Sequence, residues 1–160
     1  MITAMSHGQV LDEFGFKRVG EFTLTVDFLK YSCDDSYSGG QVYAFVFHRA
    51  DGERDIVYLG KAGKGVATRL AQHMAGMKGG SKGGHEAASL FREWLASGRA
   101  ISIWSRVSQA IDVFGIRVTL EDAEETSFLA QITPPPLRNR LKVPRDTSGA
   151  IRRAQSISEA

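Results

Sequence analysis

Two short runs rich in β-branched and aromatic residues, separated by a turn signal, constrain the fold of this chain most strongly. The runs are QVYAFVF, residues 41–47, and DIVYL, residues 55–59, with Asp51-Gly52 between them. Such runs are typical of strands, and Asp-Gly is a preferred turn in a two-stranded hairpin. The sequence therefore predicts an antiparallel β-hairpin near the middle of the chain.

Helical and extended patterns alternate around this hairpin. A strand is expected around residues 22–26 before it. After it, apolar spacing predicts a helix from residue 66, MKGGSKGG interrupts that helix, and HEAASLFREWLASG predicts a second one. AISIWSRV and IDVFGIRV predict further strands, and TLEDAEETSFLAQI predicts a third helix, opened by a capping box of Thr119 and Asp122. We expect an α/β chain of the mixed α+β class, with a central, mainly antiparallel sheet of three or four strands flanked by helices.

The cysteine count and the length of the apolar runs indicate the cellular compartment. The chain has 160 residues, enough for one domain with its own core, and a single cysteine, Cys33. One cysteine excludes an internal disulfide framework and a cysteine zinc cluster. No apolar run approaches the roughly 18 residues needed to span a bilayer, and the first residues lack the pattern of a signal peptide. We therefore expect a cytoplasmic protein without a membrane partner.

Charge is distributed unevenly along the chain. The formal net charge is only +2, but residues 58–85 hold five cations and no acid, and residues 137–153 hold six cations and one acid. The acids are concentrated in the first 55 residues and between residues 112 and 125. Two basic segments on one face would suit a polyanion. The alternative is a solubilising surface with chance clustering.

The glycine-rich stretch YLGKAGKG, residues 58–65, raises the question of a nucleotide site. Gly60 and Gly65 have the spacing of a phosphate-binding loop, but Val66 and Ala67 follow where that motif requires Lys and Ser or Thr. The dinucleotide-binding pattern also fails. The loop amides are still able to bind a phosphate at a helix N-terminus.

Side chains that can transfer protons or bind phosphate lie on either side of this loop. Tyr43 and Tyr58 lie on the two hairpin strands and can be cross-strand neighbours. Arg69 and His73 follow four residues apart, on one helix face. Each has an ordinary alternative: tyrosines on paired strands are frequently packing residues, and basic helix residues are frequently solvated.

Glu125 is the unusual residue of the third helix. It falls near the middle of the apolar arc formed by Phe128, Leu129 and Ile132. A carboxylate facing a core is costly unless it is paired, protonated or bound to a metal. An ion pair with Arg106 or Arg117 is the structural alternative to a metal site.

These segments together resemble the GIY-YIG endonuclease family. QVY stands in the place of the first family motif and YLG in the place of the second, followed by KAGKGVATRLAQH and, later, EETSFLAQITPPPLRN. The resemblance spans residues 40–139. Gln41 stands where glycine is usual, the arginine is one residue further from the second tyrosine than is common, and the asparagine is two residues later. The matched positions are Tyr43, Tyr58, Arg69, His73, Glu125 and Asn139.

The resemblance implies a metal-dependent endonuclease that hydrolyses phosphodiester bonds in DNA, most readily double-stranded DNA. It implies that Glu125 holds Mg²⁺ or Mn²⁺, that Arg69 binds the phosphate, and that Tyr43 is the general base while Tyr58 orients water or phosphate. His73 completes the catalytic set. Substrate contacts are expected from Gly60, Lys61, Lys64 and Asn139.

We expect a single domain in three parts: an N-terminal extension packed on the core over residues 1–38, the nuclease domain that the resemblance implies over residues 39–143, and a tail over residues 144–160 whose polar, basic composition predicts that it is loose. A monomer and a homodimer are both compatible with the sequence. Two other functions stay open: a noncatalytic nucleic-acid-binding domain of the same fold, and a nucleotide-binding protein that uses the glycine-rich loop.

Overall fold

The computed structural model describes residues 4–26 and 28–142. The predicted tail over residues 144–160 lies outside this part of the chain, and the predicted domain division stays a prediction. The elements, in chain order, are α1 (His7–Glu13), β1 (Lys17–Thr25), β2 (Phe28–Cys33), β3 (Gln41–His48), β4 (Arg54–Ala62), α2 (Val66–Ala75), a π-helical turn (Gly76–Gly80), α3 (Lys82–Ala96), β5 (Ile101–Val107), β6 (Ala110–Val113), β7 (Ile116–Thr119), α4 (Glu121–Gln131) and α5 (Leu137–Lys142).

Five strands form one antiparallel sheet in the order β2-β1-β5-β3-β4. The predicted hairpin is confirmed as β3 and β4. The strand expected around residues 22–26 is confirmed as β1. The expected count of three or four strands is too low, because β2 pairs with β1 as a second hairpin of the same sheet. The chain turns between them at Val26, which has a φ of 57°. A β-branched residue is unusual in this conformation, so the sequence carries no turn signal there.

The central strand β3 separates two apolar cores. Tyr43 and Phe45 point to one face and pack with α2 and α3, whereas Val42 and Ala44 point to the other and pack with α1 and α4. Alternate residues of a strand point to opposite faces, and here both faces are covered. Burial on both sides explains why QVYAFVF is almost continuously apolar.

Two local predictions are wrong. IDVFGIRV is not one strand but a separate two-stranded hairpin, β6–β7, which turns at Phe114-Gly115. The predicted capping box is absent, because the residue that caps α4 is Leu120, whose side chain makes no capping hydrogen bond.

The glycine-rich segment between α2 and α3 is more helical than its composition indicates. The expected interruption is confined to the π-helical turn and Ser81. α3 begins at Lys82, where the side chain of Ser81 accepts a hydrogen bond from the N–H of Gly84 at 3.0 Å. Two of the four glycines therefore lie inside a helix. None of the described helices combines the length and apolar character needed to cross a membrane.

Candidate active site

The two tyrosines lie side by side on one face of the hairpin. Tyr43 is opposite Gly60 and Phe45 is opposite Tyr58, so the tyrosines are diagonal neighbours, with ring centroids 5.9 Å apart. A β-carbon at Gly60 would come within 2.6 Å of Cζ of Tyr43 and 2.8 Å of a ring carbon of Tyr58. Any side chain at Gly60 would therefore displace the rings.

His73 on α2 completes an aromatic cluster with these tyrosines. Oη of Tyr43 and Nε2 of His73 share a hydrogen bond of 2.6 Å, and the ring of His73 is centred 5.1 Å from that of Tyr58. Tyr43 is wholly buried, and Tyr58 is half-buried. Burial, together with the neighbouring Tyr58, raises the pKa of Tyr43 well above its ordinary value, and Arg69 offsets only part of this. Tyr43 is therefore held as a neutral phenol in the described conformation.

Arg69 lies one helical turn before His73 and faces the same cluster. Burial opposes its charge, but the phenols of Tyr43 and Tyr58 outweigh burial and raise the pKa of Arg69. Its Nη1 donates to Oε1 of Gln72 at 2.5 Å. Its Nε is buried and has no hydrogen-bond partner within the described residues. The guanidinium therefore has one donor that the described chain leaves unsatisfied.

Glu125 on α4 is connected electrostatically to this cluster through Arg69. Burial raises the pKa of Glu125, Lys61 and Arg69 oppose this rise, and the nearby Asp122 adds to it. Lys61 itself forms an ion pair with Asp122. These charges place the exposed cation Lys61, at the end of β4, beside the half-buried carboxylate of Glu125.

The ion pair predicted as an alternative for Glu125 involves its neighbour instead. Arg106 donates to Oε2 of Glu124 at 3.2 Å, with both side chains largely buried. The structure therefore assigns the structural ion pair to Glu124, whereas the Glu125 carboxylate interacts electrostatically with Lys61 and Arg69.

Asn139 lies behind β4. Its Oδ1 accepts from the N–H of Leu59 at 2.8 Å, and its Nδ2 donates to the carbonyl oxygen of Leu59 at 2.8 Å. Both ends of the amide are thus occupied by the main chain one residue after Tyr58. Lys64, the other outlying residue of the predicted set, is exposed in the turn before α2, where its carbonyl oxygen accepts from Oγ1 of Thr68.

Gln41 orients the helix that carries Arg69. Its Oε1 accepts from the N–H of Val66 at 2.9 Å, and its Nε2 donates to Oδ2 of Asp35 at 2.8 Å. Asp35 also accepts from Oγ of Ser105 at 2.7 Å. The helix has no side-chain cap from Gly65, so Gln41 satisfies an N–H of its first turn from a neighbouring strand. Gln41, which stands where the family that the sequence resembles has glycine, therefore has a structural function.

Two charged residues near the site were not predicted. Asp35 lies in a segment whose composition indicated only a loop. Arg138 was counted merely as a cation of a basic segment, yet it is 2% exposed and its Nη2 donates to the carbonyl oxygen of Gly83 at 2.6 Å. Burial lowers the pKa of Arg138, while Glu86 and Tyr58 oppose this effect. Arg138 directly precedes Asn139 in the sequence, and this adjacency to a predicted site residue is the signal that could have singled out Arg138.

A cavity of about 340 Å³ opens beside the cluster. It extends from the ring of Tyr58 along α2 to the first turns of α3. Its lining residues are Tyr58, Arg69, Gln72, His73, Gly76, Met77, Ser81, Gly84 and Ala87.

The donor set at Glu125 is compatible with a hard divalent cation. Across residues 4–26 and 28–142, no three His, Cys, Asp or Glu side chains are grouped closely enough to hold a metal ion by themselves. Mg²⁺ is commonly held by one or two carboxylates, with water and substrate phosphate completing its shell. Burial raises the pKa of Glu125 because the ionised carboxylate is poorly solvated there, and a bound cation would compensate that negative charge.

No family model matches this sequence, and no curated protein matches it either. Among solved structures, restriction endonuclease HPY188I in complex with product DNA is similar, with a TM-score of 0.44 and 15% identity over 89% of this chain and 86% of that one. An alanine mutant of bacteriophage T4 EndoII is more similar, with a TM-score of 0.60 and 18% identity over 81% of this chain and 96% of that one. The chain therefore has the fold of an endonuclease, T4 EndoII.

Proposed function

We propose that this protein is a metal-dependent endonuclease that hydrolyses phosphodiester bonds in DNA through a GIY-YIG active site. The main support is the convergence of residues from three elements: Tyr43 and Tyr58 on the hairpin, and Arg69 and His73 on α2, with Glu125 of α4 within electrostatic range of Arg69. A base, a phosphate donor and a carboxylate ligand are the groups that this hydrolysis requires.

Arg69 is proposed to bind the scissile phosphate. A guanidinium presents several donors in a fixed fork that matches two phosphate oxygens, whereas an ammonium is a point charge. Arg69 lines the cavity, and its Nε has no partner in the described chain, so the guanidinium retains unused donor capacity at a site that a ligand can enter.

Tyr58 is proposed to receive the proton of the attacking water. The sequence alone favoured Tyr43 for this task, but Tyr43 is wholly buried, whereas Tyr58 lines the cavity. The guanidinium of Arg69 acts electrostatically on both phenols. Tyr43 and His73 are proposed to hold the cluster in place through their hydrogen bond of 2.6 Å.

Glu125 is proposed to hold Mg²⁺ or Mn²⁺. Bound there, the metal would neutralise charge on the phosphate and on the leaving oxygen. Lys61 keeps a positive charge near the carboxylate and is a candidate contact for a neighbouring phosphate. Gly60, Lys64 and Asn139 complete the proposed substrate set, Asn139 through its hold on Leu59.

DNA is the proposed substrate because of fold and charge. The fold is shared with T4 EndoII, an endonuclease. The segment that carries the tyrosine, the arginine and the cavity, residues 56–85, contains no acid, and its Lys64, Lys78 and Lys82 are exposed. Such cations bind the phosphate backbone regardless of sequence.

The decisive experiment is incubation of supercoiled plasmid with the protein in Mg²⁺ or Mn²⁺. The wild type is expected to nick or linearise the plasmid, and EDTA is expected to stop the reaction. Arg69→Ala and Glu125→Ala are expected to lose activity by about 100-fold or more. Arg99→Ala and Glu93→Ala remove the same charges from exposed positions outside the site and serve as matched controls.

The outcomes separate the remaining functions. A wild type that binds DNA but never cuts DNA or RNA would be a noncatalytic nucleic-acid-binding domain. Saturable binding of ATP or GTP without cleavage would indicate a nucleotide-binding protein. Equal cleavage by all five proteins would show that the active site is elsewhere.

A further inference from the structure

The cavity beside Tyr58 is larger than a phosphate requires. Its volume of about 340 Å³ lies at the lower end of the range for sites that hold small organic ligands. At one end are Arg69 and His73, the residues proposed to act on the scissile phosphate. The other end is formed by Met77, Gly84 and Ala87, which contribute apolar surface or bare backbone.

Main-chain atoms of Gly76 and Gly84 meet at this end of the cavity. A β-carbon at Gly84 would lie 2.4 Å from the carbonyl carbon of Gly76, so the π-helical turn and α3 touch through their backbones. Ser81 fastens this contact with its hydrogen bond to Gly84. Because the two residues in contact, Gly76 and Gly84, carry no side chains, the cavity is present in the described structure without any loop movement.

The residues that line the cavity suit a ligand that is a flat, neutral ring with polar groups at its edges. No acid lines the cavity, Tyr58 offers an aromatic ring, and Gln72 and Ser81 offer hydrogen-bonding groups near the mouth. Nucleobases bind proteins by stacking on aromatic rings and by hydrogen bonds from their edges. The exposed Lys78 and Lys82 flank the same junction and suit the phosphates on either side of such a base.

We propose that this cavity receives one nucleobase, turned out of the DNA stack beside the phosphate that Arg69 binds. The inference rests on the proposed endonuclease function and adds a substrate class to it: DNA that contains an unpaired or easily unpaired nucleotide. Extrusion costs least where a base is already unpaired, so the enzyme prefers a bulge or mismatch to a fully paired duplex.

The test measures DNA binding by fluorescence anisotropy in EDTA, so that binding is observed without cleavage. Three duplexes are compared: one fully paired, one with a single-nucleotide bulge, and one with the same bulge lacking its base. The wild type is expected to bind the bulge about tenfold more tightly than the paired duplex, and most of this gain is expected to disappear with the abasic bulge.

Ala87→Leu fills the cavity from α3, and Ser89→Leu adds the same side chain at an exposed position of that helix. Ala87→Leu is expected to bind the two bulged duplexes equally, whereas Ser89→Leu is expected to retain the wild-type preference. Thermal melting checks that both variants are folded, and the wild-type comparison of the two bulges stands even if Ala87→Leu is not.

Two results would overturn the inference in distinguishable ways. If the wild type binds DNA and makes no distinction between the bulge with a base and the abasic bulge, the cavity does not hold a base, and the proposed endonuclease function is unaffected. If the wild type binds none of the duplexes and cleaves no plasmid, the proposed function fails, and the inference fails with it.

Discussion

The phenolic oxygen of Tyr43 lies 2.6 Å from Nε2 of His73, and this bond joins the central strand β3 to helix α2. Tyr43 is wholly buried, while its diagonal neighbour Tyr58 lines the cavity. Two tyrosines of similar sequence context therefore occupy different environments. One is part of the packing that holds the site together, and the other is within reach of solvent and substrate.

This difference predicts unequal effects of removing each hydroxyl. Tyr58→Phe is expected to reduce the plasmid cleavage rate by about 100-fold or more, because the proposed proton acceptor is lost. Tyr43→Phe is expected to reduce the rate by only about tenfold and to cost about 1 kcal/mol in the free energy of unfolding, because the hydrogen bond between Tyr43 and His73 is lost. Initial rates and urea unfolding measure the two effects. A larger rate loss in Tyr43→Phe would return the role of base to Tyr43.

Arg69 is predicted to be irreplaceable by lysine. Arg69→Lys keeps the positive charge but loses the planar fork and the donor at Nε, so we expect cleavage to fall by about 100-fold. Plasmid cleavage under conditions that saturate the wild type provides the measurement. Arg99→Lys, at an exposed position, is the matched control. Near-normal cleavage by Arg69→Lys would mean that only charge matters at this position.

Glu125 and its neighbour Glu124 are predicted to have opposite effects on stability. Burial raises the pKa of Glu125 in the folded state, so the folded protein retains a proton that the unfolded chain releases above its ordinary pKa of 4.5. Stability is therefore lost as pH rises above that value, and at neutral pH the carboxylate is a net cost. Glu125→Gln is expected to raise the melting temperature by about 1–2 °C, a small gain because the carboxylate is only half-buried.

Glu124→Gln is the matched control for this measurement. It removes the partner of the largely buried Arg106 and is expected to lower the melting temperature. The difference in melting temperature between Glu125→Gln and the wild type is expected to shrink as the pH falls to 4.5. It is also expected to shrink when bound Mg²⁺ compensates the charge of Glu125 in the wild type. A Glu125→Gln variant less stable than wild type at neutral pH would contradict the argument.

Gln41 is predicted to be required for stability, although the resembling family has glycine there. Gln41→Gly removes the acceptor of the Val66 N–H and the donor to Asp35, and it leaves a cavity in place of a side chain that is 1% exposed. We expect a loss of about 2–4 kcal/mol in the free energy of unfolding, measured by urea denaturation. Gln9→Gly, on the exposed face of α1, loses helix propensity and one exposed hydrogen bond to Glu13, together about 1 kcal/mol. Equal losses in the two variants would show that the Gln41 bonds contribute nothing.

The elements with regular periodicity were predictable, and the turns that place bulky residues at positive φ were not. The Asp51-Gly52 signal identified the hairpin β3–β4, and apolar spacing identified α2 and α4. The turn at Val26 places a β-branched residue at a φ of 57°, so the local sequence gave no indication of β2. The β6–β7 turn does contain a turn residue, Gly115, but the preceding Phe114, at a φ of 50°, made the segment read as one continuous strand. Both residues are exposed, Val26 at 82% and Phe114 at 102%, so burial does not explain either turn.

The helical start of α3 illustrates the opposite error. Glycines are poor helix formers, and the composition of residues 77–84 predicted a break. Gly84 is tolerated inside the helix because the backbone of Gly76 packs where a side chain would be. Such a contact depends on residues brought together by the fold and has no local signature.

The site residues could be selected from the sequence only in part. Tyr43 and Tyr58 follow from hairpin register, and Arg69 and His73 from helical spacing. The link from Glu125 to Lys61 and Arg69 needed the family resemblance, because Glu125 is about 60 residues away along the chain. The contacts of Asp35 and Arg138 connect distant segments through single hydrogen bonds, which no periodicity encodes.

The hold of Asn139 on Leu59 has a consequence for how this molecule can associate. β4 is an edge strand, paired only with β3 in the described sheet, and edge strands offer free N–H and carbonyl groups to strands of other molecules. The amide of Asn139 satisfies one such pair in the way that a further strand would. The margin of the sheet next to Tyr58 is thus closed to β-augmentation at Leu59, whereas β2, at the opposite margin, pairs only with β1 in the described sheet.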